Sequence, residues 1–219
     1  MSKITPVTLS PEELQLVVNK EWILTKLAII EKVYQLFGIL STVMRQYVHQ
    51  NKQGLALPAN EVNPKIYRGE NYRSLPYVML DYPRYFAKNS TLAIRTLFWW
   101  GNDFSIHLHL SGEPLVSALP VLSACFSSLQ NKGYWLCINE DPWQHHFETA
   151  NYVPLNDLTS ADFTSLLYGK TFFKIAKRIS LLHWDTAPQF LELHFIEMIS
   201  LLQINSRGDE RDLSPGIPK

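Results

Sequence analysis

Gly-Asn-Asp-Phe-Ser-Ile-His-Leu-His-Leu-Ser-Gly-Glu, residues 101–113, is the stretch that decides the fold. From Phe104 to Ser111, apolar and polar side chains alternate without a break. Since successive side chains of a strand point to opposite faces of its sheet, this alternation predicts a strand with one apolar and one polar face. His107 and His109 lie two residues apart, so they share the polar face.

Three further segments have the composition of strands, namely residues 75–82, 92–100 and 134–138. Together with residues 104–110 they predict an antiparallel sheet of about four or five strands. The turn signal Gly101-Asn102-Asp103 joins two of these strands as a hairpin.

The length of that turn predicts which residues face each other across the hairpin. A three-residue loop sets Leu97 opposite His107 and Arg95 opposite His109. A shift of one residue would remove Arg95 from the face of the histidines.

Helical signals lie on both sides of the predicted sheet. Ser10, Pro11 and Glu13 have the spacing of an N-cap, a first helical residue and a capping-box partner. Apolar residues then recur at helical spacing as far as Val48, which predicts one long helix or two. Further helices are predicted over 115–130 with a break or start at Pro120, from Thr159 or Ser160 to Gly169, over 172–182, and from Asp185 or Thr186 onward.

These elements predict an α+β fold, with an antiparallel sheet packed by a long N-terminal helical segment and C-terminal helices. We expect a single domain over residues 1–204. Residues 205–219 are polar with glycine and proline, which predicts a flexible tail.

Composition indicates a large core with apolar side chains left for a binding surface. Hydrophobic residues make up 46% of the chain and charged residues only 18%. Basic and acidic residues number 20 each, so the chain lacks the basic excess that nucleic-acid binding requires. Cys125 and Cys137 lack a metal-type spacing and are interpreted as reduced packing residues.

We expect no membrane span and a cytoplasmic location. Residues 1–7 lack the charged start and apolar stretch of a secretory signal. A span needs ~20 apolar residues. Charged residues interrupt every such window of the N-terminal segment: Lys20, Glu21, Lys26, Glu31, Lys32 and Arg45.

The histidines of the central predicted strand are candidate metal ligands. His107 and His109 can approach one ion from the same face, and Glu113 is a third candidate. The spacing of Gly101, His107, His109 and Glu113 resembles the first half of the cupin signature. That resemblance implies a metal site in a fold built mostly of strands.

The sequence departs from the cupin signature after Glu113. The signature continues with a glycine where this chain has Pro120, and its second motif has no counterpart here. In the alternative interpretation, the two histidines line the polar face of a strand, where solvent, Arg95 or Ser105 satisfies them.

His145 and His146 form a second cluster, followed by Glu148. Adjacent residues of an extended chain point to opposite faces, so at most one of the two is expected to join His107 and His109. A bound ion would be iron, manganese or zinc acting as a Lewis acid. Otherwise we expect no cofactor.

Arginines and tyrosines concentrate around the first predicted strand, in residues 67–73 and 81–85. A guanidinium offers a planar fork for carboxylate or phosphate, so such a set can bind an anion. In the alternative interpretation, Arg68, Arg73 and Arg84 pair with Glu70 and Asp81 within the fold. The candidate ligand-binding residues are Arg68, Tyr72, Arg73, Arg84 and Arg95.

Two functional hypotheses follow. The first is a non-enzymatic binding or assembly protein that joins a protein partner or forms a homo-oligomer through apolar surface on the first and last helices. The second is a metal-binding protein or metal-dependent enzyme that uses His107, His109 and Glu113, with His145 or His146 as fourth ligand. The sequence has neither a nucleophile elbow nor a phosphate-binding glycine loop.

Overall fold

Seven strands form one antiparallel sheet in the computed structural model, which describes residues 7–57 and 63–203. Their order across the sheet is β1-β2-β3-β4-β7-β5-β6. The α+β class is confirmed, and the strands outnumber the four or five expected. The strands are β1 (Lys65–Tyr72), β2 (Leu75–Ala87), β3 (Ser90–Trp99), β4 (Asp103–Ser111), β5 (Trp135–Cys137), β6 (Tyr152–Pro154) and β7 (Phe172–Ser180).

The first two helices begin at side-chain caps. Ser10 Oγ accepts a hydrogen bond from the backbone of Glu13, whose carboxylate accepts one from the backbone of Ser10, so the capping box is confirmed. Asn19 ends the first helix in an extended conformation and caps the second through its side chain. The helices are α1 (Pro11–Val18), α2 (Lys20–Asn51), α3 (Glu113–Ala124), α4 (Phe126–Leu129), α5 (Ser160–Gly169) and α6 (Ala187–Ser200).

The sheet has a helix face and a loop face. On the helix face, Phe104, Ile106 and Leu108 of β4 belong to one large apolar core with residues of α2, α3 and α6. On the loop face, His107 and His109 lie against residues 138–151, which we call the covering loop, and Ser105 is hydrogen-bonded to His107. The alternation predicted for β4 is therefore confirmed, and both of its faces are buried.

The predicted register of the β3–β4 hairpin is wrong by two residues. Arg95 pairs with His107, Ala93 with His109 and Leu97 with Ser105. A shift by two preserves the face of each side chain, so Arg95 still lies on the loop face with the histidines.

The predicted helix over 172–182 is wrong, because residues 172–180 form strand β7 between β4 and β5. All residues from Phe172 to Ala176 are buried, so the apolar positions of this strand do not alternate. Some of the apolar residues are three or four positions apart, which is also the spacing along one face of a helix. Strands β1 and β6 were also not predicted.

In the predicted helical segment over 115–130, α3 begins at Glu113, runs through Pro120 to Ala124, and is followed by the single turn of α4. The predicted tail, residues 205–219, lies outside the described residues. The prediction of one domain over 1–204 stays a prediction.

Candidate functional site

The covering loop is closed at its base by Asn151, a fully buried residue. Its backbone oxygen accepts hydrogen bonds from the amides of Ile138 and Asn139. Its side-chain amide donates to the carbonyl of His146 at 2.7 Å. These bonds fix the loop, although it contains no helix or strand.

Lys174 of β7 ties the middle of the covering loop to the sheet. Its Nζ donates to the carbonyls of Pro142 at 2.7 Å and Gln144 at 2.5 Å, and lies 3.1 Å from Nδ1 of His145. The side chain is 1% exposed, and burial lowers the pKa of Lys174 to about 7.

Three buried histidines surround this lysine, and all are neutral. His107 is held by both ring nitrogens, with Ser105 Oγ at 2.9 Å and the Tyr152 hydroxyl at 3.0 Å. Burial lowers the pKa of His107 and of His145 well below the usual value, and lowers that of His109 to about 3. Nδ1 of His109 is buried without a hydrogen-bond partner among the described residues.

Arg95 and Asp81 form a buried ion pair beside the histidines. Nε and Nη2 of Arg95 donate to the two carboxylate oxygens of Asp81 at 2.8 and 3.1 Å. Nη2 also donates to the Tyr67 hydroxyl at 3.1 Å. The guanidinium lies 5.0 Å from the ring centre of Trp143 and 5.5 Å from that of Phe86.

A cavity of about 220 Å³ lies between β1–β3 and the covering loop. Its lining includes the charged residue Arg95 and the buried His145. The remaining lining is aromatic and apolar: Tyr67, Tyr72, Tyr77, Met79, Leu97 and Trp143.

Tyr72 joins the edge of the sheet to the covering loop through one hydroxyl group. The hydroxyl accepts hydrogen bonds from the amides of His145 at 2.6 Å and His146 at 3.2 Å. It also lies 2.9 Å from Nδ1 of His146, to which it can donate. All bonding positions of this oxygen are therefore used within the protein.

The structure separates the other predicted site residues from this cluster. His146 lies beside Tyr72 and Glu148. Of the candidate arginines, Arg73 pairs with Glu148 at 2.8 Å, and Arg84 donates to the carbonyl of Asn63. Glu70 and Asp81 pair with other residues than these arginines. Glu70 forms an ion pair with Lys26, and Asp81 forms one with Arg95. Arg68 lines a groove beside α2.

The predicted metal ligands do not assemble. Glu113 lies at the exposed start of α3, where it accepts a hydrogen bond from Ser117. Within residues 7–57 and 63–203, no three His, Cys, Asp or Glu side chains are grouped closely enough to hold an ion. Metal binding stays a prediction, and the buried ammonium of Lys174 opposes a second cation at His107 or His145.

A second unusual feature is the N-terminal arm, which we define as residues 9–27. In α1, all of which is described, no residue is buried, and the first buried residue of α2 is Ile30. The apolar side chains of the arm are 43% to 67% exposed: Leu9, Leu14, Leu16, Val17, Val18, Trp22, Ile23, Leu24 and Leu27. The last helix, α6, adds little exposed apolar surface, since Leu193 is the one exposed large apolar residue among its described residues.

One helical segment, Lys20–Gly54, is long and apolar enough to cross a membrane. Length and composition alone are weak evidence for a span, because the core helix of a soluble protein passes the same test. Only 28% of this apolar stretch is buried, but its buried residues, from Ile30 to Val48, do pack against the sheet. The described chain is thus compatible with a soluble protein.

Sequence reasoning missed Lys174, Trp143 and Tyr152. Lys174 was assigned to a helix, and the covering loop carries no periodic pattern that predicts its position. Phe172-Phe173-Lys174-Ile175-Ala176 offered one usable signal, since a lysine inside an apolar run of five is typical of a buried strand with a polar partner.

No known protein family, no curated protein and no solved structure matches this chain.

Proposed function

We propose that this is a non-enzymatic assembly protein of the cytoplasm, and that two copies associate through the N-terminal arm. The exposed apolar surface of the arm is the observation that carries the proposal. No cofactor is part of it.

The size of the apolar surface supports an interface. The nine large apolar residues of the arm are each 43% to 67% exposed and all lie between Leu9 and Leu27. A stable protein–protein interface buries about 800 Å² per partner. The largest apolar patch on a typical monomer measures about 300–600 Å². Association that buries this surface is favourable, because each square ångström of apolar surface removed from water contributes about 25 cal/mol to the free energy of binding.

The charges of the arm favour a second copy as the partner. Acidic Glu12 and Glu13 open α1, which has no basic residue in its last turn, and the first turn of α2 carries Lys20 beside Glu21. An antiparallel pairing about a two-fold axis near Leu16 brings Glu12 of one copy beside Lys20 of the other. A lipid surface instead attracts helices with basic residues on their polar face.

Sedimentation velocity on the full chain tests this proposal. We expect wild type to sediment as a dimer and Leu14→Glu/Val18→Glu to sediment as a monomer, because the two new charges lie one helical turn apart on α1. The control is Ile39→Glu/Leu182→Glu, which places two charges at exposed apolar positions outside the arm. It should remain dimeric, and all three proteins should give the same circular dichroism spectrum.

Two outcomes would overturn the proposal. One is a monomeric wild type. The other is co-sedimentation of wild type with phosphatidylcholine–phosphatidylglycerol vesicles that the arm variant loses, which would assign the arm to a membrane surface.

A further inference from the structure

The cavity on the loop face is a site that the proposed assembly does not use, because it lies entirely within one chain. At about 220 Å³ it is smaller than the ~300–1,000 Å³ typical of drug-sized ligands. It can hold a molecule of about one six-membered ring with a small substituent.

Most polar groups around the cavity are already bonded to the protein. The Tyr72 hydroxyl has three partners, and Tyr67 is bonded to both members of the Arg95–Asp81 pair. Two donors remain. Among the described residues, none accepts a hydrogen bond from Nη1 of Arg95 or bonds Nε2 of His145.

The proton on His145 can be assigned from its neighbour. When Lys174 is charged, its ammonium donates to Nδ1 of His145, and the ring proton then lies on Nε2. The cavity therefore offers a guanidinium N–H and an imidazole N–H, and both donors suit a ligand oxygen.

The charges around the cavity select an anion. Arg95 is the charged residue of the lining, and no carboxylate of the described chain lines the cavity. A cationic ligand is disfavoured, because the Arg95 guanidinium already lies against the ring of Trp143.

We propose that the cavity binds a small aromatic carboxylate, with its ring among Tyr72, Tyr77 and Trp143 and its carboxylate on Nη1 of Arg95 and Nε2 of His145. The aromatic lining provides edge-to-face and stacked contacts for the ring. The two donors provide charge-assisted hydrogen bonds for the carboxylate.

Titration calorimetry with three probes tests this site: benzoate, benzyl alcohol as a ring without charge, and acetate as a carboxylate without a ring. We expect benzoate to bind wild type with one site per chain, and both other probes to bind at least ten-fold more weakly. Leu97→Phe fills the cavity and should abolish binding.

Trp143→Ala removes one wall at a residue that is 47% exposed, so the fold is expected to tolerate it. It should weaken benzoate binding at least ten-fold. The matched control, Tyr168→Ala, removes a 60% exposed aromatic residue of α5 and should leave binding unchanged.

Failure of wild type to bind benzoate, equal binding of benzyl alcohol or acetate, or unchanged binding by Trp143→Ala would each overturn the proposal. If Leu97→Phe does not fold, Trp143→Ala still decides. The oligomeric state of the chain does not enter any of these readouts, so this site and the arm succeed or fail separately.

Discussion

The two faces of the sheet are buried by opposite means. On the helix face, β4 presents Phe104, Ile106 and Leu108 to the helices, and apolar packing excludes water from these side chains. On the loop face, the same strand presents Ser105, His107 and His109. His107 is hydrogen-bonded to Ser105 and to Tyr152 of β6, and the carbonyls of the covering loop accept hydrogen bonds from Lys174.

The difference shows what alternation in a sequence does and does not encode. It assigns side chains to faces, but it does not say whether the polar face meets water or a covering segment. A polar face that is covered must satisfy its groups by specific hydrogen bonds, because an unpaired buried polar group costs about 1–3 kcal/mol.

The largest effect is expected on the helix face. Phe104→Ala should lower the free energy of unfolding by about 3–5 kcal/mol, because it leaves a cavity in the core. Phe104 is fully buried against Phe37, Phe98 and Trp184. Urea unfolding measures the loss. Its control on the loop face is Ser105→Ala, which removes one hydrogen bond to His107 and should cost about 1 kcal/mol. Equal losses would show that the two faces do not differ as described.

The next effect concerns the buried ion pair of the loop face. Asp81→Ala should cost about 3 kcal/mol, because it leaves the guanidinium of Arg95 buried without its counter-charge. The double variant Asp81→Leu/Arg95→Met should recover most of that loss, since it removes both charges together. Thermal and urea unfolding would check both variants, and a double variant less stable than the single one would contradict the expectation.

A pH-dependent effect is expected at Lys174. Its pKa is about 7 in the folded chain, against an ordinary value of 10.5. Between about pH 7 and 10.5, Lys174 therefore binds fewer protons in the folded chain than in the unfolded chain. The free energy of unfolding rises with pH over that interval, by at most about 1.4 kcal/mol per pH unit. In Lys174→Met this contribution is absent. Urea unfolding of both proteins from about pH 6 to about pH 10 should show that the free energy of unfolding rises less steeply with pH in the variant. Parallel curves would refute the lowered pKa of Lys174.

The smallest effect has the opposite sign and lies on the helix face. Thr96 is buried, and its hydroxyl has no hydrogen-bond partner among the described residues. Thr96→Val should therefore stabilise the protein by about 0.5–1 kcal/mol. Thr159→Val provides the contrast, because that hydroxyl caps α5 and its loss should cost about 1 kcal/mol. A destabilised Thr96→Val would indicate a partner for the hydroxyl.

Local signals predicted the parts of the fold that depend on local physics. The caps at Ser10 and Thr159 and the alternation of β4 needed only neighbouring residues, and the structure confirms them. Strand β7 was mistaken for a helix because burial on both faces removed the alternation that identifies a strand. The edge strand β1 was missed because its sequence, Lys-Ile-Tyr-Arg-Gly-Glu-Asn-Tyr, is polar.

The candidate site was predicted in part for the same reason. The shared face of His107, His109 and Arg95 follows from strand geometry, and it survives the two-residue error in register. The partners of these residues are distant in sequence: Tyr152 lies 45 residues from His107, and Lys174 lies 29 residues from His145. No local pattern indicates contacts over such separations.

The shared hydroxyl of Tyr72 has a consequence for how the molecule exchanges hydrogen with water. The amides of His145 and His146 donate to that hydroxyl, so they become accessible when Tyr72 moves away with the end of β1. We expect these two loop amides to exchange at one common rate, and that rate to follow the fraying of the sheet edge. A loop without regular structure would thus report the opening of a strand far from it in sequence.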